Sequence, residues 1–193
     1  MDSTKEIKDY IEKNLSEKRK LHTEGVRKTA IELAKLYGAD PRKAEIAALF
    51  HDMYRGASEN SLNYYVKHLG LDRKYLNNCN LAHGKIAAII MQRDFGIEDP
   101  DILNAVSYHT TGRPGMSLLE KIIYIADAVE PNRSYPGVET LRKEAYIDLD
   151  KACLMSLSNT IDFVRSCGKY LDEETIRAKE YFENRLKQKG GQP

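Results

Sequence analysis

The sequence predicts an all-α fold. Apolar residues recur at three- and four-residue spacing along nearly the whole chain, and no run alternates apolar and polar between turn signals as a half-buried strand would. Caps and breakers also punctuate the chain at helix-length intervals. The 193 residues suit one domain, and at that size roughly 70% of the unfolded surface can be buried without disulfides or structural metals.

The first helix carries Ile7, Ile11 and Leu15 on one face. The second runs from about Glu17 to Tyr37, with Val26, Ala30, Leu33 and Leu36/Tyr37 inward and Gly38 as its stop. Asp40-Pro41 pairs an N-cap with a proline in the first turn and opens a helix ending near His51-Asp52. A helix over Ser58–Leu69 stops at Gly70, and Asn80 is expected to cap the next, which stops at Gly96. Asp99-Pro100 repeats the cap-plus-proline signal ahead of a helix reaching about His109. Ser117 with Glu120 forms a capping box for a strongly apolar helix from Leu118 to about Glu130. Helices are expected at about 137–145, 148–167 and 172–187, followed by a disordered polar tail over 188–193. The chain thus reads as a single domain with a core over about 18–145 and added helices at both ends.

Composition excludes several classes. Lys and Arg number 30 against 29 Asp and Glu, a net charge of +1, without the basic excess of a nucleic-acid binder. Cys79, Cys153 and Cys167 are an odd count with no CxxC spacing, so neither a disulfide framework nor a zinc ribbon is expected. No run approaches a membrane span, and the charged segment from Met1 to Tyr10 lacks a signal-peptide apolar region. The expected location is cytoplasmic, and a homo-oligomer is compatible with the sequence.

The chemistry lies in the histidines. Of five, His22, His51, His83 and His109 fall on apolar helix faces, whereas His68 lies off its helix's apolar stripe and is expected to face water. A buried histidine is often a satisfied core residue, but four of them would each need a hydrogen-bond partner. Asp127 lies within Ile122–Val129, apolar on nearly every side. A carboxylate there needs a metal or an ion pair, with Arg133 or Arg142 the available cations. Imidazoles and carboxylates together suit iron, manganese, cobalt, nickel or zinc. Six donors exceed what one catalytic metal with open positions can use and suit two, with Asp52 placed to bridge them.

His22, the His51-Asp52 doublet and the distant Asp127 resemble the H…HD…D signature of the HD superfamily of metal-dependent phosphohydrolases. His83 and His109, inserted between doublet and final Asp, resemble its two-metal branch. Tyr108-His109-Thr110-Thr111-Gly112-Arg113-Pro114, Leu119-Glu120-Lys121-Ile122, Ala126-Asp127, Glu130-Pro131-Asn132-Arg133 and Gly137-Val138-Glu139 are similar to the YqeK family. Its members are symmetrical bis(5′-nucleosyl)-tetraphosphatases, also described as HD hydrolases involved in NAD metabolism. The resemblance covers about His22 to Ala145. It implies an HD-domain helical bundle and His22, His51, Asp52, His83, His109 and Asp127 as ligands of two divalent metal ions, with iron the native metal. It also implies hydrolysis of diadenosine tetraphosphate, a dinucleoside polyphosphate, to two ADP by a metal-activated hydroxide. Arg55 stands where many superfamily members place lysine, which keeps a phosphate-binding charge but not a compact acid, and Gly84-Lys85-Ile86 departs from the expected Ala/Pro-rich form.

Charge fills in the rest of the expected site. Arg55, Arg113 and Arg133 lie near proposed ligands, and their planar forks suit phosphate oxygens. Thr110 and Thr111, in the loop after His109, offer hydroxyls and backbone N–H groups as a phosphate cradle. Glu130, one turn beyond Asp127, is placed either to hold a water at the metals or to pair with Arg133. Asp52, Arg55 and Glu130 are therefore the catalytic candidates, and Thr110, Thr111, Arg113 and Arg133 the substrate-binding ones. The competing functions are a nucleotide phosphomonoesterase or phosphodiesterase using the same site, an oxygenase, and a non-catalytic nucleotide-binding regulator.

Overall fold

Ten α-helices and one 3₁₀ turn are found among the described residues, 3–190, of the computed structural model, with no strand among them. They are α1 (Ser3–Asn14), α2 (Glu17–Tyr37), α3 (Pro41–Phe50), α4 (Glu59–His68), α5 (Cys79–Phe95), α6 (Pro100–Tyr108), α7 (Leu118–Val129), α8 (Val138–Ala145), α9 (Leu149–Ser166) and α10 (Glu173–Gly190), with the 3₁₀ turn at Arg73–Tyr75. The helix starts follow the local chemistry. The Asp40 carboxylate accepts from the backbone N–H groups of Arg42 and Lys43 at 2.8 and 3.4 Å, and Asp99 accepts from Asp101 at 2.9 Å. At α7 the Ser117 hydroxyl accepts from the Glu120 N–H while the Glu120 carboxylate accepts from the Ser117 N–H, the reciprocal capping box.

Helix α7 organises the packing. It touches α2, α3, α6, α8 and α9, and Ile122, Ile123, Ile125 and Ala126 are wholly buried, as a helix apolar on every side must be. Helix α2 lies against α3, and α5 against α6, which brings the sequence-distant histidines toward the end of α7. One apolar cluster runs from Ile7 in α1 to Phe182 in α10. The terminal hairpin α9–α10 is pinned by the buried Asp150 carboxylate, which accepts from Lys121, Arg185 and Lys189 at 2.8, 2.8 and 2.6 Å. Among the described residues no helix is long and apolar enough to cross a membrane.

Three local expectations are corrected. Leu36 is exposed; Ala34 is buried in its place, and the Tyr37 hydroxyl donates to the Ala145 carbonyl at 2.8 Å. Helix α5 begins before Asn80, so the N-cap is Asn78, whose side chain makes no capping bond. Helix α10 continues to Gly190, held by the Lys189–Asp150 pair, so the expected tail is helical over 188–190, and its remainder, 191–193, lies outside the described residues.

Candidate metal centre

Each candidate donor sits at or near a helix end or in an early turn, where a small rotation aims its side chain inward. His22 lies early in α2, His51 is the C-cap of α3 with Asp52 in the turn beyond, and His83 is in the second turn of α5. His109 is the C-cap of α6, and Asp127 is in the last turn of α7. The five other than Asp127 are at most 7% exposed, and the Asp127 side chain is 22% exposed.

The six converge around Asp52. Its Oδ2 lies 3.6 Å from His22 Nε2 and 3.8 Å from His51 Nε2. Its Oδ1 lies 3.2 Å from His83 Nε2 and 3.9 Å from His109 Nε2. Asp127 Oδ1 joins the first side, 3.0 Å from His22 Nε2 and 3.9 Å from His51 Nε2. Two buried donor groups result, His22/His51/Asp52 and Asp52/His83/His109, each with its donor atoms within 4.8 Å of one another. They share Asp52, one oxygen to each.

The far side of every ring explains its orientation. The Nδ1–H of His51 donates to the Ala48 carbonyl at 2.6 Å, that of His83 to Cys79 at 3.1 Å and that of His109 to Val106 at 2.7 Å. His22 Nδ1–H donates to Glu130 Oε1 at 3.1 Å. With the proton on Nδ1, each Nε2 lone pair points inward, the arrangement outer-sphere partners impose on metal-binding histidines. The Nε2 atoms of His22 and His51 are 3.3 Å apart and those of His83 and His109 3.0 Å apart. Facing lone pairs at that distance repel unless a cation lies between them, so the donor set fits divalent metal binding.

Electrostatics favour neutral imidazoles at His51 and His109 and ionised carboxylates at Asp52 and Asp127. Burial pushes His51 down and His109 down to about 3, the latter also depressed by His83 and His51. For Asp52, burial acts upward but the surrounding imidazoles, His51 and His83 foremost, hold the carboxyl well below its ordinary range. Asp127 is likewise held low against burial, by the His22 hydrogen bond and the Arg133 charge. His22 differs: burial pulls it down, but Asp127 and Glu130 more than offset this and raise it.

The remaining candidates divide. Arg55, Thr110 and Arg133 line a cavity of about 110 Å³ over the donors, together with Arg19, Asp52, His83, His109 and Asp127. The Thr110 hydroxyl is 3.2 Å from His109 Nε2. Arg133 pairs with the Asp127 carboxylate and donates to the Asp127 carbonyl at 2.7 Å, so the ion pair weighed against a metal at Asp127 exists alongside the histidine contacts. Arg142 bonds instead to the carbonyls of Val129, Glu130 and Arg133.

Two substrate-binding candidates are not brought to the cavity. Arg113 is held by Glu120 through two bonds of 2.8 and 3.1 Å, because the Glu120 carboxylate that caps α7 faces it. Thr111 is buried, its hydroxyl donating to the Gly112 carbonyl at 2.9 Å. Glu130 faces neither the cavity nor the Arg133 guanidinium; it backs His22, while its Oε2 accepts from the backbone and side-chain N–H groups of Asn132 at 2.7 and 3.0 Å. It is a positioning residue. His68 is exposed and stacks on Tyr64.

Sequence reasoning missed Arg19, whose Nη1 donates to Asp52 Oδ2 at 2.8 Å, although it sits one turn before His22 on the same helix. It also missed two glycines. A Cβ on Gly25 would lie 2.3 Å from Glu130 Oε2, and one on Gly84 would lie 2.9 Å from both His109 Cε1 and the Val106 carbonyl. Their signal was glycine in a helix interior, which costs about 1 kcal/mol relative to alanine and so implies a packing reason.

The chain is similar to several known proteins. The HD domain family matches residues 19–132. A protein of Bacillus subtilis (strain 168) named "Bis(5'-nucleosyl)-tetraphosphatase, symmetrical" is 46% identical over 155 residues, 80% of this chain and 83% of that protein. One of the same name from Halalkalibacterium halodurans is 44% identical over 167 residues, 86% and 89% of the two chains. A crystal structure from Clostridium acetobutylicum, described as a "predicted HD superfamily hydrolase involved in NAD metabolism", superposes with a TM-score of 0.89 at 46% identity, covering 94% of this chain and 97% of that one.

Proposed function

The chain belongs to the HD-domain family, and from that membership we propose that it hydrolyses nucleoside polyphosphates, cutting diadenosine tetraphosphate into two ADP. The relatives that bear the symmetrical tetraphosphatase name align over most of both chains. The observation that carries the reading is the divided Asp52 carboxylate, one oxygen toward His22 and His51 and the other toward His83 and His109, beneath a cavity lined by three arginines.

His22, His51, Asp52 and Asp127 would hold one divalent metal, and Asp52, His83 and His109 a second, with iron the native metal. Metals bound there neutralise phosphoryl charge and acidify water to a nucleophile at neutral pH. The chain's own groups do the positioning. Arg55 offers its guanidinium fork to the phosphate oxygens beside the cleaved bond, Arg133, whose Nε and Nη2 are engaged by Asp127, adds its charge, and Thr110 offers a hydroxyl at the same wall. Burial works against the Arg133 charge, but the Asp127 carboxylate more than offsets it, so the guanidinium stays ionised next to the substrate. Arg19 fixes the Asp52 carboxylate from above. Glu130 keeps the His22 ring in its tautomer. A water oxygen bonds to one inner phosphorus as that atom's bond to the bridging oxygen breaks, and the water's protons pass to solvent. The hydrated half is one ADP. The other half leaves with the bridging oxygen as the second ADP, an anion that needs little protonation. This accords with a cavity holding arginines and no free acid. Phosphoryl transfer of this kind depends on alignment and charge.

The same reading treats residues 3–190 as one domain, supported by the continuous apolar cluster, and the protein as a cytoplasmic enzyme of free nucleotides, supported by its three unpaired cysteines. The deciding experiment incubates the protein with diadenosine tetraphosphate and iron(II), manganese or cobalt in ¹⁸O-labelled water. Two ADP with label in one of each pair is the expected product. ATP plus AMP, or no turnover with any metal, overturns the reading.

A further inference from the structure

The last turn of α7 holds Asp127, and a helix leaves its final carbonyls without partners inside itself. Side chains from beyond α7 close them one after another. The Asp127 carbonyl accepts from Arg133 Nε at 2.7 Å, that of Ala128 from the Tyr135 hydroxyl at 2.8 Å and that of Val129 from Arg142 Nε at 2.8 Å. Arg142 also reaches past the helix. Its Nη2 donates to the carbonyls of Glu130 and Arg133 at 2.9 and 2.7 Å, while Nη1 pairs with Glu139. One guanidinium thus holds three carbonyls across the turn that leaves α7.

That turn carries two outer supports of the Oδ2 side of Asp52. Glu130 Oε1 accepts from the His22 ring at 3.1 Å, and Arg133 pairs with the Asp127 carboxylate. Arg142 itself stands on α8, which packs on α7 and α9 through a face where Val138, Leu141 and Ala145 are buried. Helix α8 lies beyond the segment 19–132 that matches the HD domain family. A cation at the end of α7 is favoured by the helix dipole, but charge alone does not explain three carbonyls on one side chain. Nε and Nη2 of a planar fork keep a fixed separation and so fix the spacing of the groups they hold, which a point-like ammonium does not.

We propose that Arg142 is a positioning residue for the metal position on the Oδ2 side. Through the carbonyls of Val129, Glu130 and Arg133 it sets the turn from which Glu130 orients His22 and Arg133 orients Asp127. On the Oδ1 side His83 and His109 are backed instead by carbonyls of α5 and α6, so that side should not depend on Arg142. The proposal rests on the donor set binding divalent metal and not on the identity of the substrate.

Manganese affinity is measured by equilibrium dialysis in two full-chain backgrounds, each with and without Arg142→Met. His109→Ala should leave the Oδ2 side as the main position, and His22→Ala/Asp127→Ala the Oδ1 side. Arg142→Met should weaken manganese about 10–100-fold in the first, the cost of losing an outer partner, and leave the second unchanged. In the first background, adding Glu130→Gln to Arg142→Met should cost less than the product of the two single losses, because both act on His22 through one turn. Arg142→Lys keeps a cation at the end of α7, and with it the fold, yet should still lose about 10-fold. It carries the test if circular dichroism finds Arg142→Met unfolded. Unchanged affinity in a folded Arg142 variant, equal loss in both backgrounds, or losses that multiply with Glu130→Gln overturns the proposal. A wild type that binds no manganese overturns the metal reading beneath it.

Discussion

The two oxygens of Asp52 face unequal neighbourhoods. On the Oδ2 side stand His22, His51 and Asp127, supported by Glu130 behind His22, Arg133 on Asp127 and Arg19 on Asp52 itself. On the Oδ1 side stand only His83 and His109, each backed by a backbone carbonyl, with Thr110 alongside. The first side has one more anionic donor, and the Glu130 carboxylate behind His22 raises that ring's basicity, while Arg19 and Arg133 draw charge from Asp52 and Asp127. The second is poorer in charge, though both of its histidines line the cavity. If both sides hold a metal, the Oδ2 side is expected to be the tight position and the Oδ1 side the labile one.

The largest effect should come from the shared residue. Asp52→Ala removes a donor from both sides, so elemental analysis should find both metals lost. The rate should fall well over 100-fold, beyond the ~10–100-fold cost of an outer partner. Full retention of one metal would mean that the carboxylate does not bridge.

Next come the single-sided changes. His109→Ala should lower metal content from two to one per chain and weaken mainly the labile position. His22→Ala should weaken the tight position, with Asp127 and Asp52 retaining part of its affinity. Metal titration followed by dialysis separates the two, and complete metal loss in His109→Ala would show the sides to be one cooperative unit.

The glycines sharpen the comparison without touching a donor. Gly84→Ala drives a methyl into His109 and should cost roughly 10–100-fold in activity or in affinity at the Oδ1 side. Gly25→Ala presses on Glu130 and should disturb His22 alone. Equal damage to both sides by either variant would point to general misfolding, which circular dichroism checks.

The pH response of the metal-free protein should carry opposite signs at His109 and at His22. His109 is held neutral in the fold down to about 3, whereas unfolded histidine titrates near ~6.5. Between those values the unfolded chain binds the extra proton, so stability falls as pH falls through that window. His22 is raised, so its contribution is present below the unfolded value and is lost as pH rises through the folded one. Thermal unfolding from pH 7.5 to 4.5 should therefore flatten in His109→Gln and steepen in His22→Gln. The smallest effect belongs to His68→Ala, which should leave metal content and turnover unchanged and stability within about 0.5 kcal/mol.

Much of the site was legible because helices encode their faces locally. The His22 face with Val26 and Leu33, the apolar surround of Asp127 and the Ser117–Glu120 box each depend on residues a turn or two apart. Arg113 misled for the complementary reason. Its nearness to His109 suggested phosphate, but its partner Glu120 lies on the next helix, and only the turn between them brings the two together. Thr110 and Thr111 are adjacent in sequence and lie on opposite sides of the wall, one lining the cavity and the other buried.

By itself the sequence determined the helices, most of their caps and the six candidate donor residues, since periodicity, capping and the cost of burying imidazoles and carboxylates are local or compositional properties. Tertiary structure decided which Asp52 oxygen faces which histidines, which arginines line the cavity and which glutamate supports a ring. Those outcomes depend on how α2, α3, α5, α6 and α7 cross, and hydrogen-bond partners are chosen within about 3 Å, a precision that spacing along one helix does not carry across to another.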